Sequence, residues 1–166
     1  MDFWKSCYII IIDIIVLCIF MHPTFTITTI AHESDDYQKL LQLRTDVLLN
    51  PIGVDSSFIQ PQQEKSDTFI AAFDSKKMIG CCVLTVRNND TMQLRQMAVE
   101  PGFQGQGLGA AIVQFAEQVA KEKDFRTMLL HARSPVVAFY EKSGYQITGE
   151  PFEEVGILHY RMEKML

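Results

Sequence analysis

Between residues 68 and 119 the apolar pattern of the chain changes period once, and that change does most to limit what it can fold into. Residues 68–73, 78–87 and 91–99 read as strands, separated by the turn clusters Asp74-Ser75-Lys76-Lys77 and Asn88-Asn89-Asp90. After Pro101-Gly102 the spacing becomes helical. Leu108, Ala111, Ile112, Phe115 and Val119 form one stripe, closed by the charged run Lys121-Glu122-Lys123-Asp124. Residues 126–132 supply a short apolar strand beyond that helix.

The flanking segments extend the same sheet. Residues 24–31 alternate as a strand, and Ser34 caps a helix whose first turn holds Asp35 and Asp36, where the helix dipole favours acids. Tyr37, Leu40, Leu41, Val47 and Leu48 share its apolar face, and it ends before Asn50-Pro51. Residues 51–67 form a long irregular connection, a kind of segment that often carries function. Ser134-Pro135 opens a last helix that stops at Gly144, and residues 145–148 and 156–162 are strand candidates. The predicted fold class is α/β: a single mixed, mostly antiparallel sheet with a central βαβ unit flanked by helices. With 166 residues, 48% of them hydrophobic and 21% charged, the chain suits one domain with one core.

The turn at the change of period, Gln104 to Ala110, reads Q-G-Q-G-L-G-A. Its glycines let the backbone approach a bulky anion, and the free N–H groups of a helix start favour a pyrophosphate there. A P-loop is excluded because no Lys-Ser/Thr follows Gly107 or Gly109. Gly105, Gly107 and Ala110 do fit G-x-G-x-x-A. A dinucleotide fold, however, needs a second mononucleotide half and an acidic residue ending the next strand, and that strand ends in Ala132-Arg133.

The run M-A-V-E-P-G-F-Q-G-Q-G-L-G-A resembles the GNAT superfamily of acyl-CoA-dependent N-acyltransferases, whose signature is a strand followed by Gln/Arg-x-x-Gly-x-Gly/Ala, here Gln104, Gly107 and Gly109. The resemblance continues in A-F-Y-E-K-S-G-Y, from Ala138 to Tyr145, and in L-R-T-D-V-L-L-N-P-I-G, from Leu43 to Gly53. It implies a sheet that splays between the strands at 92–99 and 126–132, with pantetheine in the gap. Backbone groups of Met97, Ala98 and Val99 would bond its amides like an added strand. Gln104, Gly105, Gln106, Gly107, Leu108, Gly109 and Ala110 would hold the pyrophosphate of acetyl-CoA. The Val99 N–H would polarise the thioester carbonyl, and Tyr140 would donate to the leaving thiolate. No metal is implied.

The implied activity is transfer of an acetyl group from acetyl-CoA to a primary amine of a small molecule or peptide. The general base is open. Gln93 stands on the strand where some members place a catalytic Glu, and a neutral amide cannot take the proton. His159 is one candidate base, and Glu150, Glu153 and Glu154 form a charge run that is either solvated or attracts a cationic amine. Arg133 and Val136 stand where many members carry Asn and Ala, and Leu158 replaces the Pro of a G-I-P-H ending, so acceptor specificity is not inherited. The alternative class, suggested by Gln93, is a non-catalytic acyl-CoA-binding sensor or interaction module.

The formal charge of −5 argues against a protein built to neutralise phosphate backbones, so nucleic acid is not an expected partner. Cys7, Cys18, Cys81 and Cys82 match no zinc or disulfide spacing, which fits a reducing compartment and a cytoplasmic location. Residues 8–20 are an apolar block interrupted by Asp13, shorter than the ~20 residues of a membrane-spanning helix. Three readings stand for it: an upstream extension with no role in the fold, an anchor or signal, or a packed helix. Membrane contact is expected only if this block inserts. The expected division is an N-terminal extension over 1–22 and the acetyltransferase-like domain over 23–166.

Overall fold

The computed structural model describes residues 20–22 and 25–166. The apolar block of residues 8–20 therefore lies outside the described residues, apart from Phe20 at its end. One sheet organises the rest: β1 (Phe20–His22), β2 (Phe25–Ile30), β3 (Thr68–Asp74), β4 (Lys77–Val86), β5 (Thr91–Val99), β6 (Thr127–Arg133), β7 (Gln146–Ile147), β8 (Phe152–Glu154) and β9 (Ile157–Met165). The order is β1-β2-β3-β4-β5-β6-β9-β7, with β8 also on β9. Among the described strands only β5 and β6 pair parallel; the other pairings are antiparallel. This is the mixed sheet that the change of period predicts, and α2 (Leu108–Glu122) is the crossover between its parallel strands.

Each face of the sheet has its own core. Beneath α2 and α3 (Val137–Lys142), the side chains of Ile79, Cys82, Leu84, Met92, Leu94, Met128 and Leu130 meet Leu108, Ile112, Phe115 and Val119 of the α2 stripe. On the opposite face α1 (Asp35–Arg44) lays Tyr37 and Leu40 on Phe69, Ala71, Cys81 and Val83. Ser34 caps α1 by accepting from the Tyr37 N–H at 3.1 Å. Both strand cysteines are buried and free. Burial pushes the Cys81 thiol up to about 12 and Cys82 well above its ordinary value, so both are inert packing groups.

The structure departs from expectation at three places. The first helix does not stop at a single cap: after Arg44 it widens into a π turn over Thr45–Leu49 and then tightens into a 3-10 turn over Asn50–Ile52, as Pro51 removes a donor. Ser134-Pro135 opens a 3-10 turn over Ser134–Val136, and the last helix begins only at Val137. Phe152–Glu154, expected in no strand, forms β8 in a hairpin with β9, while Glu153 and Glu154 are exposed, in keeping with a solvated charge run. No helix among the described residues is long and apolar enough to cross a membrane.

Candidate active site

The parallel strands β5 and β6 are in register only from Thr91/Thr127 to Leu94/Leu130. Beyond that point β6 continues alone against β9, as far as Arg133 opposite His159. Meanwhile β5 keeps pairing with β4, where the register shifts between Cys81/Ala98 and Val83/Arg95, so that Gln96 and Met97 both oppose Cys82. This is a β-bulge, and Gln96 sits in it at φ 47°, a conformation few non-glycine residues adopt. The bulge bends β5 away from β6. A cavity of about 1570 Å³ lies at the divergence and is lined by residues from both faces of the sheet.

Register decides which backbone groups face the gap. The Glu100 N–H donates to the Ile79 carbonyl at 2.9 Å, and hydrogen-bonded pairs alternate along an antiparallel ladder. Ala98 and Cys81 are therefore a bonded pair, whereas Val99 opposite Gly80 turns its N–H and C=O toward the gap. Ala98, grouped with Met97 and Val99 on sequence grounds, instead directs its backbone at β4 and its side chain into the α1-side core. The Val99 carbonyl accepts from the Gln104 side-chain amide at 2.9 Å, so Gln104 ties the turn to the strand end.

The glycine turn ends at Gly107, φ 85°, the cap of α2; no side chain caps this terminus, and its first N–H groups are available to an anion. A Cβ on Gly107 would meet nothing within 4 Å, while one on Gly109 would come within 3.3 Å of the Phe139 ring. Gly107 thus leaves room above the helix end, and Gly109 lets α2 and α3 approach closely. Of the expected cofactor residues, Met97, Val99, Gln104, Gly105, Gly107, Gly109 and Ala110 line the cavity. Leu108 is a core side chain, and Gln106 donates to the Gly102 carbonyl.

Tyr140 projects from α3 into the same cavity with 7% of its surface exposed. Burial, with Cys82 nearby, pushes its hydroxyl above the ordinary phenol range, so it remains an O–H donor. Among the described residues nothing hydrogen-bonds that hydroxyl. His159 is 6% exposed, stacks on Phe152 and lies 2.8 Å by Nδ1 from the Ile157 carbonyl. A carbonyl only accepts, so Nδ1 carries the proton and Nε2 is the acceptor nitrogen. Gln93 is 3% exposed and its Oε1 accepts from Arg87 Nε at 2.5 Å, which leaves no carboxylate at that position.

Sequence reasoning missed a polar groove on the α1 side of the gap. Arg44, Glu64, Asp67, Thr85, Arg87, Arg95, His131 and Glu154 join Gln93 and His159 in lining it. Burial, against the pull of Thr85 and Arg95, raises the Asp67 carboxyl. Burial also lowers His131, opposed by Glu154 at 4.0 Å and assisted by His159, Arg87 and Arg161, so His131 favours its neutral form. The period-two pattern of β6 could have placed His131 on the face opposite Met128 and Leu130, but only pairing order reveals what it faces.

Residues 51–166 match the model of the acetyltransferase (GNAT) domain. The chain belongs to the GNAT family. This GNAT chain is 36% identical over 74 residues to a Bacillus subtilis protein, uncharacterized protein YyaT, covering 45% of this chain and 50% of that one. It spans about half the length of the curated relatives it matches, or less. Its fold is that of a crystallised acyl-CoA N-acyltransferase from Pseudomonas aeruginosa, with a TM-score of 0.73 at 20% identity over 85% of this chain and 99% of the other. A GNAT family acetyltransferase from Elizabethkingia anophelis, crystallised with acetyl-CoA bound, aligns with a TM-score of 0.69 at 21% identity over 87% and 100%.

Proposed function

We propose that this GNAT chain is an N-acetyltransferase that moves an acetyl group from acetyl-CoA to a primary amine by direct attack in a ternary complex. The observation that carries the reading is the Val99 N–H turned into the β5/β6 gap beside the uncapped start of α2. Open space above Gly107 fits a pyrophosphate, and acetyl-CoA bound to the relative from Elizabethkingia anophelis supports the choice of co-substrate. When bound, acetyl-CoA supplies a thioester open to a nucleophile.

The chain's own residues then divide the work. Met97 and Val99 hold the ligand as a strand would, and the Val99 N–H stabilises charge developing on the carbonyl oxygen. The Tyr140 O–H donates to the sulfur as it leaves. The proton lost by the attacking nitrogen goes to an imidazole of the groove: His131, whose pKa is lowered from the ordinary histidine value, or Nε2 of His159, directly or through water. The acetyltransferase domain spans residues 23–166 with β1 (Phe20–His22) added to its sheet edge, and the buried free thiols suit a reducing compartment such as the cytoplasm.

A second reading, a non-catalytic acyl-CoA sensor, is favoured by one observation, the neutral Gln93 clamped by Arg87. Thiol release from acetyl-CoA across a panel of amines separates the two. Release that depends on an amine supports the transferase; CoA binding without release on any amine refutes it in favour of the sensor.

A further inference from the structure

Six arginines occur in the chain: Arg44, Arg87, Arg95, Arg126, Arg133 and Arg161. Four have a carboxylate within 4.0 Å, in the pairs Arg44–Glu64, Arg95–Asp67, Arg126–Asp90 and Arg161–Glu163. Among the described residues Arg87 and Arg133 have none, and both line the cavity. Arg87 is held by its Nε on the buried Gln93 oxygen, which fixes the plane of the guanidinium and leaves its two terminal nitrogens undirected. Arg133 gives one terminal nitrogen to the Leu48 carbonyl at 3.1 Å. A guanidinium anchored at one edge and open at the other is the arrangement that receives a carboxylate in a fork.

The surrounding charge points the same way. Glu64 is consumed by Arg44, Asp67 faces Arg95, and Glu154 faces His131. Glu150 and Glu153 do not line the cavity. A chain with a formal charge of −5 thus keeps, in the groove that opens on the β5/β6 gap, two arginines with no carboxylate within 4.0 Å among the described residues. Arg87 lines the cavity although the residue as a whole is exposed, and its charge acts on both Asp67 and His131.

We propose that the acceptor amine carries a carboxylate, as an amino acid or short peptide does, and that the groove's two arginines without a carboxylate partner, Arg87 and Arg133, draw it in, one of them taking it in a fork, while the amine faces the thioester. This rests on the transferase reading and names its substrate class. The test compares amino acids with their carboxamides, using the full chain and saturating acetyl-CoA. The carboxamide's amine is the less basic, so a preference for the acid cannot come from a larger neutral fraction.

The acid should be favoured in kcat/KM by about 10- to 100-fold, the scale of a hydrogen bond to a charged group. Arg87→Gln and Arg133→Gln should each shrink that preference, mainly through KM, with melting curves confirming that the variants fold. Equal use of acid and carboxamide by the unaltered protein, or a preference that survives both substitutions, would overturn the assignment. Phosphoethanolamine favoured over ethanolamine and over every amino acid would overturn it too, in favour of a phosphate. Intact CoA binding with no acetylation of any amine would instead bring down the transferase reading, and this inference with it.

Discussion

Replacing Glu64 by Leu should cost the fold about 3–5 kcal/mol, because the substitution strands a cation in the interior. The Arg44 side chain is fully buried and that of Glu64 is 5% exposed. Two guanidinium nitrogens reach the carboxylate at 2.9 and 2.7 Å, and the Tyr37 hydroxyl donates to it at 3.1 Å. Among the described residues nothing accepts from Arg44 Nε, so even the intact pair is not fully satisfied. Removing both charges at once, in Arg44→Met with Glu64→Leu, should recover most of the loss, since neither ion is then left to be desolvated alone. For a domain of this size each kcal/mol moves Tm by about 2–4 °C, so the single variant should melt roughly 6–20 °C lower. Thermal and urea unfolding of both single variants and the double variant complete the cycle. A single variant that loses less than about 1 kcal/mol, or a double variant no more stable than Glu64→Leu, would refute the reasoning. The pair ties the segment before β3 to α1, so its loss should also loosen the wall of the groove.

Tyr140→Phe should lower kcat by about 100-fold while leaving the Kd for CoA near its original value, as steady-state kinetics and calorimetry would show; unchanged kcat makes the residue packing only. Gly107→Val should abolish CoA binding, since it adds bulk over the α2 start and strains a backbone at φ 85°; unchanged affinity by calorimetry removes the pyrophosphate from that turn. His131 should titrate below an ordinary histidine, so base-dependent activity stays on its plateau down to unusually acid pH. Glu154→Gln, which removes the charge that raises it, should move that limb further toward acid, and a proton NMR titration of His131 that moves upward would contradict the sign. A chain beginning at Met21 should melt within a few degrees of the whole protein, because β1 meets the sheet only along β2; a large drop would assign residues 1–20 to the core.

Elements fixed by local chemistry were readable in the sequence. The Ser34 cap, the meander over β3 to β5 and the α2 stripe each rest on residues close in the chain, and each lies where periodicity and turn chemistry put it. The bulge at Gln96 was hidden, because its signal is a register slip against β4 rather than a residue type. The hairpin of β8 and β9 was hidden too: Phe152–Glu154 is three residues long and gains its strand character only from pairing. The candidate site divides the same way. Its glycine turn is one contiguous segment, while the groove assembles Arg87, Gln93, His131 and His159 from four parts of the chain.

An open strand edge is normally a liability, the surface on which one chain nucleates pairing with another. In this fold two such edges, those of β5 and β6 beyond Leu94 and Leu130, face each other across one gap instead of facing solvent. A neighbouring protein would have to bring its own sheet or turn into a cleft between adjacent strands, with α2 and α3 packed on one side. A thin, extended molecule with amides spaced along it meets no such obstacle. The inward divergence therefore selects occupants by cross-section before any side chain reads them, and it lets the protein keep an unpaired edge without inviting aggregation.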